Sequence, residues 1–202
     1  MDKHAPAKPC TVAVFCGSSP GAKPIFEDVA ERFGTLVAEA GFRFLFGGGR
    51  LGLMGKAAQA AHDHGARVVG VLPEFLRHLE PPLKGDAEEV VWVDTMFERK
   101  KLMTEWSDAF VVLPGGIGTV DEFFEVLVGA QLLTHQKPIV VVNVEDYFDP
   151  LVDLVQHIVQ SGFAGEASLA LFTVVPTPED AIAVLKALLA RQQPHAGSGL
   201  PD

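Results

Sequence analysis

The residues best suited to chemistry lie in LPGGIGTVDEFFEVL, residues 113–127, where three glycines precede Asp121, Glu122 and Glu125. Gly115, Gly116 and Gly118 leave backbone N–H groups uncovered on either side of Ile117 and Thr119 adds a hydroxyl. The positive end of a following helix would point at the same spot. Such a turn suits a phosphate. Glu122 comes three positions after Thr119 and so shares its helix face, whereas Asp121 points elsewhere. A carboxylate one turn behind an anion site fits a ligand that is anionic at one end and develops positive charge at the other. A ribose 5-phosphate unit whose anomeric carbon becomes an oxocarbenium ion meets both conditions, because carboxylates stabilise such ions in glycoside cleavage. The plainer alternative makes Glu122 and Glu125 a favourable charge at a helix start and a solvated face.

Other motifs are less specific. Arg99 and Lys100 in MFERKK open a helical stretch, where unpaired cations near a phosphate turn would be useful; alone, such a charge run reads as a solvated helix start. Gly47, Gly49 and Gly52 fit G-x-G-x-x-G, but the dinucleotide fingerprint belongs to the first strand–helix turn and carries an acidic residue about 20 positions on. Here the first turn reads CGSSPG, and the chain after the second cluster leads to Pro73-Glu74. An NAD-dependent oxidoreductase therefore fails on context, and Gly47–Gly49 read locally as a tight turn with close helix–strand packing. No Gly-Lys-Ser/Thr follows either cluster, so a Walker loop is excluded. His62 and His64 are two apart, which on a helix does not bring them together, and no metal site is expected. No lysine stands in a setting suited to a pyridoxal Schiff base.

Turns of this kind need strands to hold them. TVAVFC, FRFLFG, ARVVGVLP, EEVVWVD, AFVVLPG, PIVVVNV and LFTVVP are short apolar runs, separated by stretches of helical spacing such as Leu53–His64, Met96–Trp106, Thr119–Leu133 and Leu151–Val159. Strands this uniformly apolar belong in a sheet covered on both faces. The expected fold is α/β: a Rossmann-like open, mainly parallel sheet of about seven strands flanked by helices. Ligands bind at the carboxyl ends of such strands, so Cys16–Ser19, Gly47–Gly49 and Pro114–Thr119 can converge on one crevice. One domain is expected over residues 10–192, its last helix running from about Pro178 to Arg191, with 1–9 and 193–202 as mobile tails.

Composition removes whole classes of function. A net charge of -10 argues against generic nucleic-acid binding, which draws on clustered Lys and Arg. Hydrophobic residues make up 48% of the 202, yet no run approaches the roughly 18 apolar residues of a membrane span. MDKHAPAKP has no signal-peptide character, so a cytoplasmic location is expected. Two cysteines, Cys10 and Cys16, make no disulfide framework, and Cys16 at a strand end reads as a buried thiol.

The pair GGGRLGLMG and PGGIGTVDE with MFERK between them, together with CGSSPG, AQLLTHQKPIVVVN and YFDPL, resembles the lonely-guy (LOG) family of phosphoribohydrolases, long labelled lysine decarboxylases. The similarity runs from about Val12 to Phe163. It implies a homodimer, with no cofactor or metal, that hydrolyses the N-glycosidic bond of AMP or N6-substituted (cytokinin) riboside 5'-monophosphates to free base and ribose 5-phosphate. By motif position it implies catalytic roles for Arg99 and Glu122. Substrate contacts are implied at Ser18, Gly48, Glu80, Met96, Lys100, Gly115, Gly116, Ile117, Gly118, Thr119 and Asp121. Glu122 could be either a nucleophile or an electrostatic stabiliser. Phe97 stands where the family usually has His, Val128-Gly129 replaces a usual Thr-Trp, and Leu127 lies near a Thr of plant members, all around the expected base pocket. The competing class is a non-catalytic nucleotide sensor or carrier on the same fold. Retention of Arg99 and Glu122 together argues against it.

Overall fold

The computed structural model describes residues 9–79, 81–83 and 89–191. Glu80 and both expected tails, Pro9 excepted, lie outside the described residues. All seven expected strands form: β1 (Thr11–Phe15), β2 (Arg43–Phe46), β3 (Val68–Pro73), β4 (Glu89–Val93), β5 (Ala109–Val112), β6 (Ile139–Val142) and β7 (Thr173–Val175). They make one parallel sheet in the order β4-β3-β2-β1-β5-β6-β7.

Alternation along β1 shows why its run is apolar from Val12 onward. Val12 and Val14 enter one core with α1 (Pro24–Glu39), α2 (Gly52–Asp63) and α6 (Pro178–Leu189). Ala13 and Phe15 enter the other, with α3 (Met96–Trp106), α4 (Ile117–Gln131) and α5 (Asp149–Gln160). Successive side chains of a strand face opposite ways, so a strand buried on both sides is apolar along most of its length, with Thr11 and Arg43 confined to the first positions of β1 and β2.

The strand order runs outward from β1 in one direction to β4, then restarts beside β1 with β5. The chain therefore diverges to opposite sides after β1 and β5 and leaves a crevice at their carboxyl ends. Backbone bonds tie the surrounding turns together. Gly17 N–H donates to Pro114 O (3.0 Å), Leu113 N–H to Phe15 O (2.9 Å) and Met54 N–H to Gly17 O (3.1 Å). The expected convergence of the first and third glycine turns on this crevice is thus met, with the start of α2 against them.

Helix α3 returns the chain from edge strand β4 to central strand β5 and packs over β4, β3 and β1. A capping box fixes its first turn: Glu98 N–H donates to Thr95 Oγ1 (3.1 Å) and Thr95 N–H to Glu98 Oε2 (3.3 Å). Such a cap contributes about 1 kcal/mol and sets the rotation at which the next residues, Arg99 and Lys100, leave the helix. Helix α4 starts at Ile117, two residues before the Thr119 expected from spacing, with Gly116 as an extended N-cap. Gly118 is consequently inside the first helical turn.

Candidate active site

Two helices bring the charged residues together. Thr119, Glu122, Phe123, Val126, Leu127 and Ala130 form the buried stripe of α4, so the helix period that buries Phe123 also drives Glu122 inward. From α3, Arg99 reaches the same place: its Nη2 lies 3.2 Å from Glu122 Oε1, with the two side chains 8% and 10% exposed. Among the described residues, the Arg99 Nε is buried without a hydrogen-bond partner. Met96, one turn earlier, sets its sulfur 3.8 Å from Arg99 Nη1.

A glycine makes room for that guanidinium. A Cβ at Gly47 would lie 1.9 Å from Arg99 Nη2, so the end of β2 must lack a side chain for Arg99 to lie where it does. The sequence places Gly47–Gly49 at a tight turn beside the crevice, without pointing to a slot for an arginine. Gly48, next along, lies beside Leu72 of β3.

Burial decides the ionisation of Glu122. Loss of hydration raises its carboxyl from 4.5 to about 7; Arg99 pulls in the opposite direction, and the nearby Asp121 raises it further. A single 3.2 Å contact does not repay the hydration lost. Cys16 is fully enclosed near the pair, and burial first, then Glu122, hold its thiol far above the ordinary value. It is a core residue and not a nucleophile.

Lys100 is not the unpaired cation its position suggested. It bridges α3 to α4, bonding Glu125 and, at 3.2 Å, Asp121. Glu125 first, and Asp121 after it, raise its ammonium above the ordinary value. Asp121 is exposed apart from that contact, on a different face of α4 from Glu122. A sequence reading of the charge runs separately could not pair them, since the partners lie more than a helix apart.

Gly115 begins the anion turn, and a Cβ there would fall 2.1 Å from Thr119 Oγ1 and 2.7 Å from Gly17 N. At Gly116 or Gly118 an added Cβ would meet nothing within 4 Å, so the space above these residues is open. Ile117, between them, is 91% exposed. Beside the turn is a cavity of about 410 Å³, walled by Ser18, Ser19, Phe26, Leu53, Gly116 and Tyr147 among others. Tyr147 joins the site from outside the sequence-predicted residues: its hydroxyl donates to Gly115 O at 2.5 Å across 32 positions, a contact no local pattern announces. Among the described residues no cluster of three metal-ligating side chains forms.

Fold and site together define a class: a parallel Rossmann-like protein with an anion-type turn at its switch point and a buried arginine–glutamate pair one helical turn behind it. Residues 54–185 match the family described as "Possible lysine decarboxylase". The chain is 40% identical over 186 residues to a protein of Rhodococcoides fascians named cytokinin riboside 5'-monophosphate phosphoribohydrolase, covering 92% of this chain and 94% of that one. A protein of the same name from Mycobacterium tuberculosis is 40% identical over 85% of this chain and 91% of its own. One from Oryza sativa is 38% identical over 87% and 72%. The protein belongs to the LOG family, to which the lysine decarboxylase description is attached. Its fold is shared with the molybdenum cofactor carrier protein of Chlamydomonas reinhardtii, with a TM-score of 0.67 at 22% identity over 92% of this chain and all of that one. That likeness is one of fold alone.

Proposed function

We propose that the protein hydrolyses the N-glycosidic bond of AMP or an N6-substituted, cytokinin-type riboside 5'-monophosphate, releasing the free base and ribose 5-phosphate. The observation carrying this reading is the buried Arg99–Glu122 pair directly behind an open glycine turn at a helix start. Amides of Gly116, Gly118 and Thr119, with Ser18 opposite, hold the 5'-phosphate, where the α4 dipole favours negative charge. Glu122, as carboxylate, meets the positive charge that grows on the ribose as the base departs. Arg99 orients Glu122 through the 3.2 Å contact between its Nη2 and Glu122 Oε1. Met96, Gly48 and Lys100 complete the substrate's surroundings. Water attacks the anomeric carbon and the base leaves with a proton. The names of the related proteins support this chemistry. The enzyme acts in the cytoplasm, as one domain over about residues 10–192, and as a homodimer.

Adenine release from AMP, compared with adenosine, tests the reading. Phosphate binding energy assists the reacting centre, so adenosine is expected to be a far poorer substrate. Equal efficiency on the two would remove the phosphate turn from the mechanism, and binding of AMP with no base release would make the protein a carrier.

A further inference from the structure

The anion turn has an anchor outside its own loop. The peptide unit joining Gly115 to Gly116 is flanked on both sides by glycine, and such a unit rotates with little steric resistance. Its carbonyl oxygen and N–H point in opposite directions, because the peptide is trans. If the unit turned over, the Gly115 oxygen would face the phosphate and repel it. In the structure that oxygen accepts a hydrogen bond from the Tyr147 hydroxyl at 2.5 Å. With the carbonyl held on the Tyr147 side, the Gly116 N–H is directed away from it.

Tyr147, 40% exposed, is held by ring contacts on two sides. Its ring packs edge-on against Phe26 of α1 (5.4 Å between centroids) and Phe148 (4.9 Å). The segment delivering it contains two consecutive non-glycine residues in the left-handed region, Glu145 (φ 53°) and Asp146 (φ 55°). Backbone of this kind persists where its surroundings over-determine it. Asn143 does so from within, accepting from Phe148 N–H at 2.6 Å and donating to Asp149 at 2.8 Å. The Lys23–Glu145 pair, 3.2 Å, ties the segment to the start of α1. None of these contacts serves the reacting end of the site.

We infer that Tyr147 is a positioning residue that locks the Gly115–Gly116 peptide with its N–H toward the substrate phosphate, so that phosphate affinity depends on one hydroxyl contributed from the β6–α5 connection. The inference rests on the phosphate-holding role given above to residues 115–119. The hydrogen bond also polarises the peptide, strengthening the N–H as a donor.

Tyr147→Phe removes the hydroxyl and keeps the ring packing. With AMP as substrate, KM is expected to rise about fivefold, the equivalent of one neutral hydrogen bond, with kcat changed less than about twofold. Ribose 5-phosphate binding, measured by calorimetry, is expected to weaken by the same factor, with a melting temperature close to that of the wild type. A kcat loss with unchanged KM, or a collapse of the melt, would mark Tyr147 as merely structural and overturn the inference. The calorimetry also separates it from the function. If the wild type cleaves no nucleotide but binds ribose 5-phosphate more tightly than Tyr147→Phe, the anchor stands while the hydrolase reading falls. Equal affinity of the two proteins, or no binding by either, would reject the anchor.

Discussion

Glu122 is held where a carboxylate is costly to ionise, and that cost has consequences in both rate and stability. Its folded-state value of about 7 lies above the ordinary 4.5, so the folded protein holds this proton more tightly than the unfolded chain does. The stability so contributed is complete below about pH 4.5 and is lost as pH rises through about 7. Glu122→Gln, which cannot ionise, is spared the loss. The melting temperature of the variant relative to wild type should therefore rise between about pH 5 and about pH 8, and a constant difference would refute the burial account. Base release should move the other way, increasing through about pH 7 as the carboxylate forms. At saturating AMP, Glu122→Gln should cut turnover roughly a hundredfold to a thousandfold, as expected for a positioned electrostatic stabiliser. Asp121→Asn is the neighbouring control: it loses one exposed contact to Lys100, which retains Glu125, and should change turnover little. Near-normal adenine release by Glu122→Gln would reduce that carboxylate to a helix-start charge.

The site is assembled by element ends rather than by any one element. β2 contributes an absence, the missing side chain of Gly47; α3 contributes Arg99 at an angle set by the Thr95–Glu98 cap; α4 contributes Glu122 from its buried stripe. Gly47→Ala should consequently act like a partial loss of Arg99. Its methyl cannot coexist with a guanidinium nitrogen 1.9 Å away, and displacing a catalytic group by about 1 Å can cost roughly a hundredfold in rate. Circular dichroism of the variant should stay native, since the clash is with the end of a side chain and not with backbone. Full activity in Gly47→Ala would mean that Arg99 need not occupy this position. At this scale the sequence was readable where pattern is local: all seven strands, α3 to the residue, and the face shared by Thr119 and Glu122. The early start of α4 escaped because glycine is a poor helix former and Gly118 hid the first turn; tertiary context overrode propensity.

Across the whole molecule, large apolar side chains remain uncovered at the start of α3 and at both ends of α4. Ile117 and Phe97 are 91% and 73% exposed near the helix starts, and Val128, Leu132 and Leu133 are 46%, 68% and 76% exposed toward the end of α4. Large apolar side chains exposed in number are a mark of interaction surfaces, and the proposed homodimer would cover these with a second copy. Light scattering at micromolar concentration should return twice the 21.6 kDa chain mass. A monomer would refute the dimer and leave Phe97 and Ile117 in need of another partner. Among the described residues no helix is long and apolar enough to cross a membrane.

Periodicity determined the alternation of strands and helices, because burial on both sheet faces leaves its mark on every residue of a strand. The glycine turn followed by Thr119 and Glu122 at helical spacing determined the kind of ligand the site suits, since amide exposure and helix polarity are local properties. Only the tertiary structure joined Arg99 to Glu122, supplied the slot at Gly47, occupied Lys100 with Asp121 and Glu125, and set Tyr147 on the Gly115 carbonyl. Each of these depends on strands distant in sequence lying side by side. The value of about 7 at Glu122 likewise had to await the fold, because hydration is lost to whatever packs around a residue and not to its neighbours along the chain.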